Sequence, residues 1–133
     1  MRDEMPEKGI LDGVRVLTLE QVHALPWGTS FLADLGAQVI RVESVVHLQD
    51  RKSGPFPGGR PSEEWWNEGG NLAYFGTRNK KSLCLEVADP KGKEVFLKLA
   101  ERCDIVTDNF RPGTMARYGF DHDSLAKINP RII

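Results

Sequence analysis

Asp108-Asn109-Phe110-Arg111-Pro112-Gly113 sets an amide, an aromatic face, a guanidinium and a prospective helix start side by side. Together they could stack on a purine ring and hold phosphates through charge and backbone N–H groups. The same string also makes an ordinary Arg-Pro-Gly turn, and pattern alone favours the turn. Other chemistries find less support. His23, His47 and His122 lie in different elements, and no His or Cys pair has a metal-site spacing. There is no Gly-x-Ser-x-Gly elbow. Neither G-x-G-x-x-G nor G-x-x-x-x-G-K-[ST] occurs, which disfavours a nicotinamide-dependent oxidoreductase and a P-loop NTPase. Glu20 and Glu63-Glu64 read as surface charges, and Lys80-Lys81 as a solvated turn.

The elements that would carry the 108–113 loop alternate between strand and helix. Val14 to Leu19 is aliphatic, follows Asp12-Gly13 and reads as a buried strand. Pro26 is placed as the first residue of a helix, with Phe31, Leu32 and Leu35 on its apolar face and Gly36 as its cap. Gln38 to Val42 is the next strand, giving a right-handed βαβ unit. From Ser44 to Asn71 the periodicity dissolves into Gly and Pro, with a helical turn at Glu63 to Trp66 whose Trp65 and Trp66 are expected to pack the loop down. Leu83 to Val87 reads as a third strand. Asp89 then caps a helix that has Pro90 first, Val95, Leu99 and Phe96 as its stripe, and an end near Arg102. Asp104 to Thr107 is a fourth strand. Short helices follow at Pro112 to Tyr118, ended by Gly119, and at Asp121 to Ile128. Asn129-Pro130-Arg131-Ile132-Ile133 opens a fifth strand. Apolar β-branched residues at the terminus lead us to expect a segment of a longer polypeptide.

Composition narrows the partners. With 133 residues, 40% hydrophobic and 28% charged, the chain is of globular type, and a net charge of −1 gives no bulk attraction to nucleic acid or an anionic membrane. Cys84 and Cys103 are read as free thiols, with a disulfide left open. Met1 to Lys8 has no apolar stretch for a secretory leader, and a cytoplasmic location is the default expectation.

Several segments resemble class III CoA-transferases, the CaiB/BaiF family, in order and spacing. They are Leu11-Asp12-Gly13-Val14-Arg15-Val16-Leu17, then Leu32-Ala33-Asp34-Leu35-Gly36-Ala37-Gln38-Val39-Ile40-Arg41-Val42-Glu43, then Arg78-Asn79-Lys80-Lys81-Ser82-Leu83, then Asp89-Pro90-Lys91-Gly92. Asn109-Phe110-Arg111-Pro112-Gly113, Arg117-Tyr118-Gly119 and Asn129-Pro130-Arg131-Ile132-Ile133 complete the match. The resemblance implies an α/β fold with a Rossmann-like parallel sheet and flanking helices, incomplete in this chain as the N-terminal part of the family's large domain. Residues 1–8 would be a flexible terminus, and 9–133 part of the coenzyme A-binding domain.

The implied reaction moves CoA between carboxylic acids through an aspartyl-acyl anhydride. Its nucleophilic Asp is expected beyond Ile133, leaving no catalytic residue within the chain and a segment inactive by itself. An interlocked homodimer, an acyl-CoA and a carboxylic acid acceptor are the implied partners, with no metal, nucleic acid or membrane. An α-methylacyl-CoA racemase and a non-catalytic CoA- or nucleotide-binding module remain alternatives. By position, Asn109, Phe110 and Arg111 would lie against the nucleotide of CoA, and Arg117 would reach a phosphate. Val22, His23 and Ala24 would approach the pantetheine and thioester end, and Leu85, Glu86 and Val87 would line the adenine pocket. Departures occur at His23, where formyl-CoA transferases commonly have Gln, and at Leu25, where a Gly follows. Ser44 stands where Arg is usual, and Ala88 where Lys is frequent. Arg41, Lys80, Lys81 and Arg111 are cations that could compensate in part, although Lys80-Lys81 reads first as a solvated turn.

Overall fold

The computed structural model describes residues 8–44 and 76–133, together with residues 46, 51, 54, 56 and 59. The expectations for Met1 to Glu7, for His47 and for Glu63 to Trp66 fall outside the described residues. Four strands, β1 (Arg15–Leu19), β2 (Gln38–Glu43), β3 (Lys81–Cys84) and β4 (Ile105–Asp108), form one parallel sheet in the order β3-β2-β1-β4. Four helices, α1 (Ala24–Asp34), α2 (Pro90–Ala100), α3 (Thr114–Tyr118) and α4 (His122–Ala126), complete the described elements. The registers Leu17↔Ile40 and Leu17↔Val106 flank the middle of β1 on both sides, and Val42↔Leu83 adds β3 beyond β2. Val16, Leu17 and Leu19 are accordingly buried, as a parallel sheet with helices on both faces requires.

Alternation along β1 divides the core in two. Val16 joins Val39, Ala33 and Ala37 beneath α1. Leu17 and Leu19 join Phe96, Ala100, Phe120 and Leu125 beneath α2 and α4, where Phe96 and Phe120 stack with ring centroids 4.1 Å apart. Ile132 closes this second cluster. Ile133 donates its N–H to Asp104 O and accepts from Val106 N, a parallel bridge to Ile105 where a fifth strand was expected.

Most expected elements are present, with instructive shifts. Helix α1 starts at Ala24, two residues before Pro26. Proline is tolerated there because the first turn's N–H groups have no partner within the helix. Its buried residues are Pro26, Thr29, Ser30 and Ala33, whereas Phe31 is 54% exposed and Leu35 48%. Of the expected apolar face only Leu32 packs against the core, while Phe31 and Leu35 point outward, and the Arg78 guanidinium lies over the Phe31 ring. In α2 the buried stripe is Gly92, Phe96 and Ala100 at four-residue spacing; Val95 is 41% exposed and Leu99 flanks the core. Strand β3 begins two residues early. Leu85 N still reaches Glu43 O at 2.9 Å, but β2 ends at Glu43 and offers no further partner.

Several matched segments turn out to be joints of the scaffold. Asp89 caps α2 by accepting from Lys91 N at 2.8 Å, with Pro90 in the first turn. Asn129 donates to Ala100 O and Cys103 O at the far end of the same helix. Arg78 Nη2 lies 2.6 Å from Asp34 Oδ2, and Asn79 Nδ2 donates to Asp34 Oδ1 at 2.7 Å, docking the entry to β3 onto the end of α1. These bonds, Arg78's foremost, hold the Asp34 carboxyl below its ordinary pKa. Both cysteines are free thiols, Cys103 buried and Cys84 exposed.

Gly92 and Gly28 form a natural control pair. A Cβ on Gly92 would meet Glu86 O at 1.9 Å, so Gly92→Ala should lower stability by about 1–3 kcal/mol in urea unfolding through overpacking against backbone. A Cβ on Gly28 meets nothing within 4 Å and the residue is exposed within α1, so Gly28→Ala should raise stability by roughly 0.5–1 kcal/mol.

Candidate functional site

A cleft of about 510 Å³ opens where the carboxyl ends of the four strands meet. Open parallel sheets bind ligands at this edge, where successive connections leave in opposite directions. In this sheet β1 connects toward β2, and the chain returns to β4 on the other side of β1. Leu19, Glu20 and Gln21 line the cleft from the end of β1, and Val42, Glu43 and Ser44 from the end of β2. Leu85, Glu86 and Val87 follow β3, and Asn109, Phe110 and Arg111 follow β4. Thr114 and Tyr118, one turn apart on α3, complete the wall beside Arg51.

The cleft floor is charged. Glu20 is only 4% exposed. Its Oε1 lies 2.6 Å from Lys80 Nζ and 3.4 Å from Arg41 Nε, and its Oε2 accepts from Thr18 Oγ1 at 3.0 Å and from Thr29 Oγ1. Lys80 is equally enclosed and also donates to Pro26 O at 2.8 Å and Thr29 Oγ1 at 2.6 Å. Burial pushes its ammonium below the ordinary lysine pKa, while Glu20 pulls it back up. Arg41 continues the chain of charges to Glu43 at 3.6 Å, and Arg51 Nε meets Glu43 Oε2 at 2.7 Å. Neither the surface charge expected at Glu20 nor the solvated turn expected at Lys80 is found. Each supplies the other's counter-charge, and neutral hydroxyls and a carbonyl fill the remaining hydrogen-bond sites.

Glu86 organises the opposite wall. Ser44 Oγ donates to one of its carboxylate oxygens and Ala88 N to the other at 3.1 Å. Thus the two positions where the family resemblance leads one to expect cations both turn toward a carboxylate. Of the cations that could compensate, Arg111 lines the cleft. Arg41 also lines it, paired with Glu20 and Glu43 in the floor, Lys80 is engaged below it, and Lys81 starts β3, exposed.

Across the crevice, Gln21 N donates to Asn109 Oδ1 at 2.8 Å and Asn109 Nδ2 donates to Gln21 O at 2.7 Å. Val22 follows with φ +64, and His23 precedes the first turn of α1. The structure thus gathers Leu85, Glu86, Val87, Asn109, Phe110 and Arg111 into one cleft. Val22, His23 and Ala24 stand exposed beyond its lining, and Leu25 is half-buried outside it. Arg117 is exposed on α3 with Nη2 3.3 Å from Thr114 Oγ1, one residue from the cleft-lining Tyr118. Sequence reasoning missed Leu19, Glu20, Gln21, Val42, Glu43, Arg51, Thr114 and Tyr118 as lining residues. The spacing of Thr114 and Tyr118 could have paired them; Arg51 sits in a stretch without periodicity and carries no such signal. No three His, Cys, Asp or Glu side chains cluster as metal ligands among the described residues, and no helix there is long and apolar enough to cross a membrane.

Residues 11–133 match the family model of CoA-transferase family III. The chain is 38% identical over 128 residues to an acetyl-CoA:oxalate CoA-transferase from Acetobacter aceti, covering 95% of this chain and 30% of that enzyme. It is 38% identical over 130 residues to a succinyl-CoA:mesaconate CoA-transferase from Haloarcula hispanica, covering 94% of this chain and 31% of that one. Among solved structures, a CaiB/BaiF family protein from Brucella suis superimposes with a TM-score of 0.82 at 32% identity, over 96% of this chain and 32% of its own. The chain therefore spans about a third of the length of these similar proteins.

The buried pair sets a stability test. Lys80→Met should lower the unfolding free energy by about 3 kcal/mol, because it removes the nearer of the two cations that the buried Glu20 carboxylate faces. Adding Glu20→Gln should recover part of that loss in a double-mutant cycle followed by urea unfolding.

Proposed function

Since the chain belongs to CoA-transferase family III, we propose that its cleft receives the nucleotide end of coenzyme A in a protein that moves CoA between carboxylic acids. The supporting observation is the cleft itself, which lies at the carboxyl edge of a parallel sheet and is lined by Leu85 to Val87 on one wall and Asn109 to Arg111 on the other. In this reading Phe110 offers its face to the adenine, and Arg111 and Arg117 pair with phosphates by charge-assisted hydrogen bonds. Arg51, anchored on Glu43 at the cleft, is a third cation in reach of an anionic ligand. Val22, His23 and Ala24 lie on the side from which pantetheine would leave toward the reacting thioester.

In the same reading the chemical step belongs to an aspartate outside residues 1–133. It attacks the thioester carbonyl, the C–S bond breaks, and the electron pair leaves on sulfur as the CoA thiolate. The thiolate next attacks the aspartyl carbonyl of the anhydride and the donor carboxylate leaves; the acceptor carboxylate attacks the aspartyl thioester and expels the thiolate again, which then attacks the acceptor's acyl carbonyl, giving the new acyl-CoA and restoring the aspartate. A homodimer is the assembly we expect. By their names, the similar enzymes cited above handle oxalate and mesaconate, so a small carboxylic acid is the acceptor class we propose.

Calorimetric titration of CoA into the chain tests the nucleotide half of this reading. We expect a dissociation constant in the micromolar range, weakened about tenfold by Arg111→Ala and by Arg117→Ala, the scale of one charge-assisted contact. Absence of binding by the folded chain at millimolar CoA would remove the cleft as a CoA site.

A further inference from the structure

The hydrogen bonds between Asn109 and Gln21 replace a piece of sheet. The β1–β4 ladder ends at Leu19↔Asp108. Beyond it, Asp108 Oδ1 accepts from Phe110 N at 3.0 Å and turns the chain away from β1. The Asn109 side chain then supplies the next acceptor and donor in place of backbone, meeting both the N–H and the C=O of Gln21. The orientation of the amide is dictated by its partners, since an N–H needs an oxygen and a carbonyl needs a donor. The clamp spans the crevice at the sheet's switch point, where the connections from neighbouring strands diverge.

What the clamp holds is strained. Val22 follows the clamped residue directly and has φ +64, a left-handed conformation that a β-branched side chain rarely adopts. Such a conformation persists where its surroundings over-determine it. Two bonds to the preceding residue's backbone on one side, and the start of α1 at Ala24 on the other, leave Val22 little freedom to relax.

We propose that Asn109 is a positioning residue, whose amide holds the loop after β1 in its left-handed Val22 conformation and joins the β1 and β4 loops into one binding edge. This rests on the CoA reading above for the identity of the ligand, and on geometry alone for the clamp. A ligand seated against Phe110 and Arg111 then fixes the direction in which Val22 and His23 face, although neither lines the cleft.

The test uses the full chain, labelled with nitrogen-15, as wild type, Asn109→Ala, Asn109→Asp and Asn109→Ala with Val22→Gly. Asn109→Ala should speed hydrogen exchange at the Gln21 amide at least tenfold and weaken CoA binding at least fivefold. Glycine adopts a positive φ without a Cβ penalty, so adding Val22→Gly should restore at least half of the lost affinity on a logarithmic scale. Asn109→Asp keeps the acceptor for Gln21 N–H but loses the donor to Gln21 O. It should leave exchange at Gln21 slow while CoA binding weakens, a result that also serves if the alanine variant does not fold. Unchanged Gln21 exchange in Asn109→Ala overturns the clamp. An affinity loss indifferent to Val22→Gly overturns the positioning role and makes Asn109 a direct ligand contact. Exchange behaving as described while no variant and no wild type binds CoA supports the clamp and rejects the CoA reading instead.

Discussion

One buried carboxylate constrains more of this molecule than any apolar contact does. Glu20 leaves the end of β1 and is enclosed at the cleft floor, where an uncompensated charge would cost several kcal/mol even after relaxation. Its partners therefore have to come to it, and each arrives from a different element. Lys80 comes from the approach to β3, Arg41 from β2, Thr29 from α1 and Thr18 from β1. Bringing Thr29 inward settles how α1 is rotated. Small and polar residues face the sheet, and Trp27, Phe31 and Leu35 are left on the outside. Bringing Lys80 inward places Arg78 and Asn79 over Asp34, which fastens the entry to β3 onto α1. The site and the scaffold thus share one electrostatic knot.

That knot explains what could and could not be read from the chain beforehand. Strand positions were legible because β1 and β2 are short aliphatic runs bounded by turn residues, and a buried parallel strand has little else to be. The second long helix was legible at its start from Asp89-Pro90, and its end at Ala100 falls two residues before the expected Arg102. Its phase was legible in part: Phe96 is buried and Leu99 flanks the core as expected, whereas the close approach at Gly92 sets Gly92, Phe96 and Ala100 inward and leaves Val95 exposed. Glu20 and Lys80 were misread for a related reason. They are distant in sequence and charged, and nothing in spacing alone announces that each is the other's counter-ion. Arg51 was missed because its stretch lacks periodicity, so only the fold brings it to Glu43.

The same accounting bears on which cations a polyanionic ligand would meet. The cleft is lined by Glu20, Glu43 and Glu86 and by Arg41, Arg51 and Arg111, so its formal charges cancel. Arg41 lies between two carboxylates in the floor, and Arg51 is held at one of them. Phosphate binding by Arg51 would thus compete with Glu43, whereas Arg111 stands exposed on the opposite wall. Such a cleft attracts an anion through local geometry rather than through a broad positive field, in keeping with a chain whose net charge is −1. Ser44 and Ala88 fit this picture, since with Glu86 between them they build a wall of hydrogen bonds where cations would have built one of charge.

Magnitudes decide how firmly the crevice is held open. A non-glycine residue in a sparsely populated backbone region costs on the order of 1–3 kcal/mol. Two hydrogen bonds return about 0.5–1.5 kcal/mol each. The strain at Val22 and the two bonds from Asn109 to Gln21 are therefore of the same size. Neither dominates, and contacts of about 1 kcal/mol are enough to shift the balance at the edge of the cleft. Glu20, one residue before Gln21, keeps this balance local: its four partners anchor the end of β1, so a change at Val22 is not passed back into the sheet. The rigid floor and the finely balanced rim follow from the same few residues, because the buried charge fixes where the strand stops and the amide clamp fixes where the chain goes next.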